Sequence, residues 1–76
     1  MKRKAATTID EAARMGFAQG VAYAAAELSR AFDAPSYAME LLCAAGLTDA
    51  KALRAADVDE YDARECRSVI RREKRP

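Results

Sequence analysis

The sequence of 76 residues has no histidine, no tryptophan, only three glycines and only two cysteines. Without histidine, no serine or cysteine has the imidazole base that usually activates a nucleophile. Two cysteines alone fall short of the four Cys and His ligands of a typical structural zinc site. The glycines do not form a phosphate-binding loop, because none has P-loop spacing before a Lys-Ser or Lys-Thr pair. We therefore predict a protein that is not an enzyme and that binds no metal and no cofactor.

Segments that would direct the chain to a membrane are also missing. Residues 2–4 are basic, but residues 7–11 are mostly polar where a signal peptide would have its apolar segment. The longest uncharged stretch, residues 15–26, is too short for a bilayer, which needs about 20 apolar residues. We predict a cytoplasmic protein without a membrane span. In that compartment Cys43 and Cys66 are expected to stay reduced and to pack as small buried hydrophobes rather than form a disulfide.

Alanine dominates what is present. Nineteen of the 76 residues are alanine, the residue with the highest helix propensity. Large apolar side chains are few, so a monomer can build only a thin core, and a homodimer would be a natural remedy. We predict one all-α domain over residues 1–76, a small bundle of three to four helices. Its basic ends, residues 1–8 and 71–76, are expected to be flexible.

The first helix is predicted from about residue 9 to residue 32. Thr8 and Glu11 have the spacing of a capping box, which marks its start. Apolar residues then recur every three or four positions, as one buried helical face requires. The predicted buried stripe consists of Ile9, Ala13, Phe17, Val21, Ala24, Leu28 and Phe32.

Turn residues divide the rest of the chain into three shorter helices. Pro35 suits the first turn of a second helix, and Gly46 suits its end near residue 45. Thr48 is the predicted cap of a short third helix with Leu53 as its anchor. A fourth helix is capped by Asp57 or Asp59 and extends to about residue 72. The predicted buried positions of the second and fourth helices are Ala38, Leu41, Leu42 and Ala45, and Ala63, Cys66, Val69 and Ile70.

A row of small residues lies beside the predicted stripe of the first helix: Ala12, Gly16, Gly20 and Ala24. Such a row leaves a groove in which another backbone can approach closely. Glycine inside a helix costs roughly 0.5 to 1 kcal/mol relative to alanine, so close contact must offset that loss. The favoured interpretation is a helix of the same chain crossing the groove, and the alternative is a dimer or a partner helix.

Charge is distributed unevenly along the chain. The acidic residues are densest between residues 57 and 65, where five carboxylates accompany only one arginine. One interpretation is a solvated helix start, because carboxylates there favour the helix dipole. The other is a partner-binding acidic patch that imitates phosphates. The five residues are Asp57, Asp59, Glu60, Asp62 and Glu65.

Basic residues at the C-terminal end suggest nucleic-acid binding as an alternative, because cations that contact phosphates displace counterions. The candidate contacts are Arg67, Arg71, Arg72, Lys74 and Arg75. Residues 47–70 also resemble a helix-turn-helix in spacing. The second helix of that motif would begin with residues 59–62, however, and three carboxylates there would be repelled by DNA phosphates. We do not expect this helix to read DNA sequence.

Small size, a helical composition, the lack of catalytic residues and the acidic segment together resemble the small helical accessory proteins of phages and prophages, which include the anti-CRISPR proteins. This resemblance implies a stoichiometric inhibitor that binds a host nucleic-acid-handling complex. Residues 57–65 are the segment that could present carboxylates where phosphates would lie. The expected function is therefore protein binding.

Overall fold

The computed structural model describes residues 9–73, which form four helices and no strand. Helix α1 comprises Ile9–Arg30, α2 comprises Pro35–Ala44, α3 comprises Ala50–Ala55 and α4 comprises Glu60–Glu73. The predicted all-α bundle is thus confirmed. Thr8, Lys74 and Arg75 lie outside the described residues. Helix α4 extends through Glu73, so the first three residues of the predicted flexible C-terminal end, residues 71–73, are helical.

Two chain reversals use the same backbone motif. After α2, the amide of Leu47 donates to the carbonyl of Leu42 at 2.8 Å, and Gly46 has the left-handed φ of 73°. After α3, the amide of Val58 donates to the carbonyl of Leu53 at 3.2 Å, and Asp57 takes the left-handed position with φ 60°. Both are Schellman motifs, which satisfy the last helical carbonyls. The end of α2 was predictable from Gly46, and Asp57 has the role that glycine usually fills.

The helix caps differ slightly from the predictions. The N-cap of α3 is Asp49, whose side chain accepts from the amide of Ala52 at 2.8 Å. Thr48 as cap was therefore wrong by one residue. At the start of α4, the carboxylate of Asp59 accepts from the amide of Tyr61 at 3.0 Å, so Asp59 is the residue that caps this helix.

Small residues dominate the contact between α1 and the rest of the bundle. Helix α1 buries only Ala22, Ala25, Ala26 and Ser29. Ala38 of α2 is fully buried with them. Such short side chains allow helix backbones to approach closely. The largest fully buried side chains of the described chain come from the other helices: Leu42, Leu53, Val69 and Cys66.

The predicted buried stripe of α1 was wrong. Val21 and Leu28 are half-buried, whereas the other members are exposed, Ile9 to 87% and Phe17 to 68%. The physical reason is that α1 carries apolar residues on nearly every side. The bulkiest row therefore does not identify the buried face, because the helices instead come together on the alanine row that permits the closest approach.

The two cysteines have different environments, and both are free thiols. Cys66 is fully buried, and its thiol donates to the carbonyl of Ala22 at 3.4 Å. Burial raises the pKa of Cys66 to about 11, and the nearby carboxylates of Asp62 and Glu65 add to the effect. The prediction of buried thiols is confirmed for Cys66 and wrong for Cys43, which is exposed on α2.

Candidate protein-binding surface

The side of α1 that faces away from the bundle is apolar over its first four turns. We define the outer face of α1 as the eight exposed residues on this side: Ile9, Ala12, Ala13, Gly16, Phe17, Gly20, Tyr23 and Ala24. At 100° per residue they occupy an arc of about 140°. No other residue between 9 and 24 lies within that arc, so this segment of the face contains no charge. The nearby charged residues Asp10, Glu11 and Arg14 lie outside it.

The predicted row of small residues lies on this outer face. A side-chain carbon added at Gly16 or at Gly20 would have nothing within 4 Å. The interpretation that a helix of the same chain crosses the row was therefore wrong for the described residues. The dimer or partner alternative stays a prediction. No helix within residues 9–73 is long and apolar enough to cross a membrane.

The five carboxylates of the predicted acidic patch do not share one surface. Asp62 is buried and Glu65 is half-buried, and both are held by α1. The hydroxyl of Ser29 donates to Glu65 at 2.6 Å, and a guanidinium nitrogen of Arg30 lies 3.2 Å from Asp62. These two carboxylates connect α4 to α1. A count of charges along the sequence does not show the direction in which each side chain points. The count alone therefore predicted a single patch.

Arg30 is the centre of a polar cluster at the end of α1. It pairs with Asp62 and, at 3.0 Å, with Glu27, while its guanidinium lies 4.3 Å from the centre of the Tyr61 ring. Burial alone would lower the pKa of Arg30, but the hydrogen bonds to Asp62 and Glu27 outweigh it and the pKa is raised. The cluster fixes α4 against α1, and its tyrosine contact adds a cation–π interaction.

The remaining three members of the predicted patch have local roles at the start of α4. Glu60 accepts a hydrogen bond from Arg67 at 2.9 Å, which lowers the pKa of Glu60. Asp59 caps the helix, and Asp57 forms the left-handed turn before it. The carbonyls of Ala56 and Asp57 also accept from the side chain of Gln19 on α1. The contacts of Asp59 and Glu60 therefore fit the interpretation of a solvated helix start better than that of a continuous acidic patch.

The predicted basic contacts are partly described. Arg67 is half-buried and paired with Glu60, whereas Arg71 and Arg72 are exposed. The prediction omitted Arg64, which is exposed and lies three residues before Arg67 and seven before Arg71. These three form an arginine row along the outer side of α4. The i, i+3, i+7 spacing was visible in the sequence. Arg64 stands among five carboxylates in the sequence, so the charge of its segment conceals its place in the basic row.

Two depressions in the surface of residues 9–73 are shallow and open to solvent. One of about 280 Å³ is lined by α2 and the end of α4, including Cys43 and Glu73. Another of about 290 Å³ lies where the start of α3 meets α4, between Asp49 and Arg71. In residues 9–73 no three His, Cys, Asp or Glu side chains come together as a metal site would require. The outer face of α1 is therefore the surface feature that most needs an explanation.

Similarity to known proteins assigns no family to the chain. No protein-family model matches it, and neither a curated protein nor a solved structure is significantly similar to it.

Proposed function

We propose that this chain is a non-enzymatic protein-binding module whose binding surface is the outer face of α1. The observation that carries the proposal is the uncharged arc of eight exposed residues, in which Ile9 is 87% and Phe17 is 68% exposed. Scattered apolar residues are ordinary on protein surfaces, but contiguous apolar patches are typical of interaction sites. An amphipathic helix that binds another protein through its apolar face uses anchoring side chains three or four residues apart, which is the spacing found on this face.

The two glycines on the outer face support the same proposal. Each costs roughly 0.5 to 1 kcal/mol relative to alanine in a helix, and no contact within the described chain offsets that cost. Close approach of another helix would offset it, because the absence of side chains lets two backbones come together. Phe17 and Tyr23 beside the glycines would supply the large contact area that anchors such an interface.

Photo-crosslinking in the producing cell tests this function directly. We expect p-benzoylphenylalanine placed at position 17 to capture a protein, because Phe17 lies on the outer face. The same probe at position 37, where Tyr37 is 70% exposed on α2, serves as the control and should capture none. Adding Gly20→Arg should abolish capture at position 17, since the charge occupies the face without filling space inside the bundle. Equal capture at both positions would count against the proposal.

The narrower proposal is a cytoplasmic stoichiometric inhibitor of a host nucleic-acid-handling complex, as the resemblance to anti-CRISPR proteins implies. The outer face of α1 supports an inhibitor that covers an apolar helix or groove of its target. Imitation of phosphates by residues 57–65 has less structural support, because Asp62 and Glu65 bind Arg30 and Ser29 within the bundle.

The arginine row of α4 supports a second candidate function, nucleic-acid binding. Arg64 and Arg71 are exposed, and within residues 9–73 neither has a carboxylate in ion-pair distance. Along the helix the row extends over about 10 Å, so its members could contact successive phosphates of one strand.

A salt titration checks this second candidate. Each phosphate contact contributes about −0.9 to the slope of log K against log salt on duplex DNA. Replacing Arg64 and Arg71 with glutamine should therefore flatten the slope by about 1.8 if both contact phosphates. Replacing Arg14 and Arg54, which are exposed on other helices, is the matched control and should change the slope little. Absence of binding at low salt would remove this candidate.

A further inference from the structure

We propose that the partner of the outer face of α1 is a second copy of this chain, so that the α1 helices of two molecules pair in a two-fold dimer. This inference rests on the proposed function and assigns its partner. Three properties of the outer face support it: it is complementary to itself in shape, residues 12–24, which pair with one another, bring no like charges together, and its area is near what a dimer requires.

Shape is the first argument, because a two-fold interface must fit the same patch on another molecule. Consider two antiparallel α1 helices whose symmetry axis passes residue 18. Position i then lies opposite position 36 − i, which places Tyr23 opposite Ala13 and Gly16 opposite Gly20. A large side chain thus meets a small one, and the two glycines meet at the centre. By the same rule the partner's Phe17 lies opposite position 19, about 3 Å along the helix axis from Phe17, so the two exposed rings meet beside the centre and cover each other.

The charge distribution of the outer face also favours pairing of two copies. The outer face itself has no charged residue between positions 9 and 24, so juxtaposing two copies brings no like charges together along this stretch. The nearest charge on the same side of the helix is Glu27, which the antiparallel arrangement places opposite Ile9 and one residue from the partner's Asp10, at the edge of the interface. Glu27 is already paired with Arg30 at 3.0 Å. Antiparallel α1 helices also set opposite ends of their dipoles side by side.

Area is the third argument. The residues Phe17 and Tyr23 are 68% and 56% exposed, and side chains of this type have roughly 150 to 250 Å² to bury. With Ile9 and the five small residues of the face, each copy could cover about 600 Å², or about 1,200 Å² in total, the lower limit for specific interfaces. This predicts a dimer that dissociates on dilution rather than a permanent one.

Sedimentation equilibrium of the full chain tests the dimer. From about 1 to 500 µM, a range that brackets weak specific association, we expect the mass to rise from 8.3 kDa toward twice that value. Gly20→Arg should raise the dissociation constant by roughly a hundredfold or more, because it buries an unpaired charge. Tyr37→Arg on α2 is the control and should not change it. Circular dichroism should show that both variants keep their helix content.

The outcomes separate this inference from the proposed function. A wild-type chain that stays at 8.3 kDa throughout the range would overturn the dimer, as would a Gly20→Arg variant that dimerises like the wild type. If the chain is monomeric and the probe at position 17 captures a different protein, the proposed function stands and only the partner changes. If the chain is monomeric and that probe captures nothing, both are overturned.

Discussion

Replacing Ala38 with leucine should lower the Tm of this domain by roughly 15 °C. Ala38 is fully buried on α2 against the alanines of α1, and added methylene groups force such helices apart at a cost of about 3 kcal/mol. A domain of this size has about 4 to 11 kcal/mol of stability in total, and each kcal/mol corresponds to roughly 4 to 8 °C. Thermal unfolding followed by circular dichroism measures the change.

Ala44→Leu is the matched control. Ala44 lies on the same helix but is exposed, so the same added volume meets solvent and the Tm should stay within a few degrees of the wild type. Equal Tm values for the two variants would show that α1 and α2 do not pack through their alanines.

Asp62→Asn is expected to have the second largest effect, lowering the Tm by roughly 5 to 10 °C. The side chain of Asp62 is only 12% exposed and pairs with Arg30, so removal of its charge weakens the connection between α1 and α4. Asparagine keeps the shape, which isolates the loss of charge from any loss of packing.

Asp59→Asn is the comparison variant, because asparagine caps a helix about as well as aspartate does. Its Tm should barely change. The sequence-based interpretation treated Asp59, Glu60 and Asp62 as equivalent members of one patch. The structure instead predicts that, if all three carboxylates were replaced in one variant, nearly all of the decrease in Tm would come from Asp62. A Tm loss shared equally between Asp59→Asn and Asp62→Asn would contradict that role.

The helix boundaries were predictable to within about two residues because their signals are local: the first helix ends at Arg30 instead of residue 32, and the cap of α3 is Asp49 instead of Thr48. Pro35 begins α2, Gly46 ends it in a left-handed conformation, and Leu53 is the buried anchor of α3. Each of these depends on backbone preferences or on one side chain within a few residues. The apolar inward positions of α4 were also predictable, because Ala63, Cys66 and Val69 recur every three residues and all three are buried. Asp62 is buried beside them, which its charge does not predict.

The buried face of α1 was not predictable in the same way. Its alanines and larger apolar residues surround the helix, so periodicity favoured the bulky row through Phe17 when the fold uses the row through Ala22 and Ala26. The contact between Arg30 and Asp62 joins residues 32 positions apart, and no local sequence pattern predicts it. The candidate surface is therefore predictable only in part. Gly16 and Gly20 are an unusual pair in the sequence, but their exposure depends on which face of α1 the bundle covers.

The uncovered beginning of α1 couples local stability to binding. Within Ile9 to Phe17 no residue is buried, and Met15 alone is half-buried. A helical segment of this length is marginal by itself in water, since isolated helices need about 12 to 15 residues. In the free molecule its first turns therefore depend on the anchored part of α1 and can open without unfolding the bundle. A partner that covers the outer face also keeps these turns helical, so part of the interaction free energy suppresses their opening, and opening becomes rarer as more of the protein is bound.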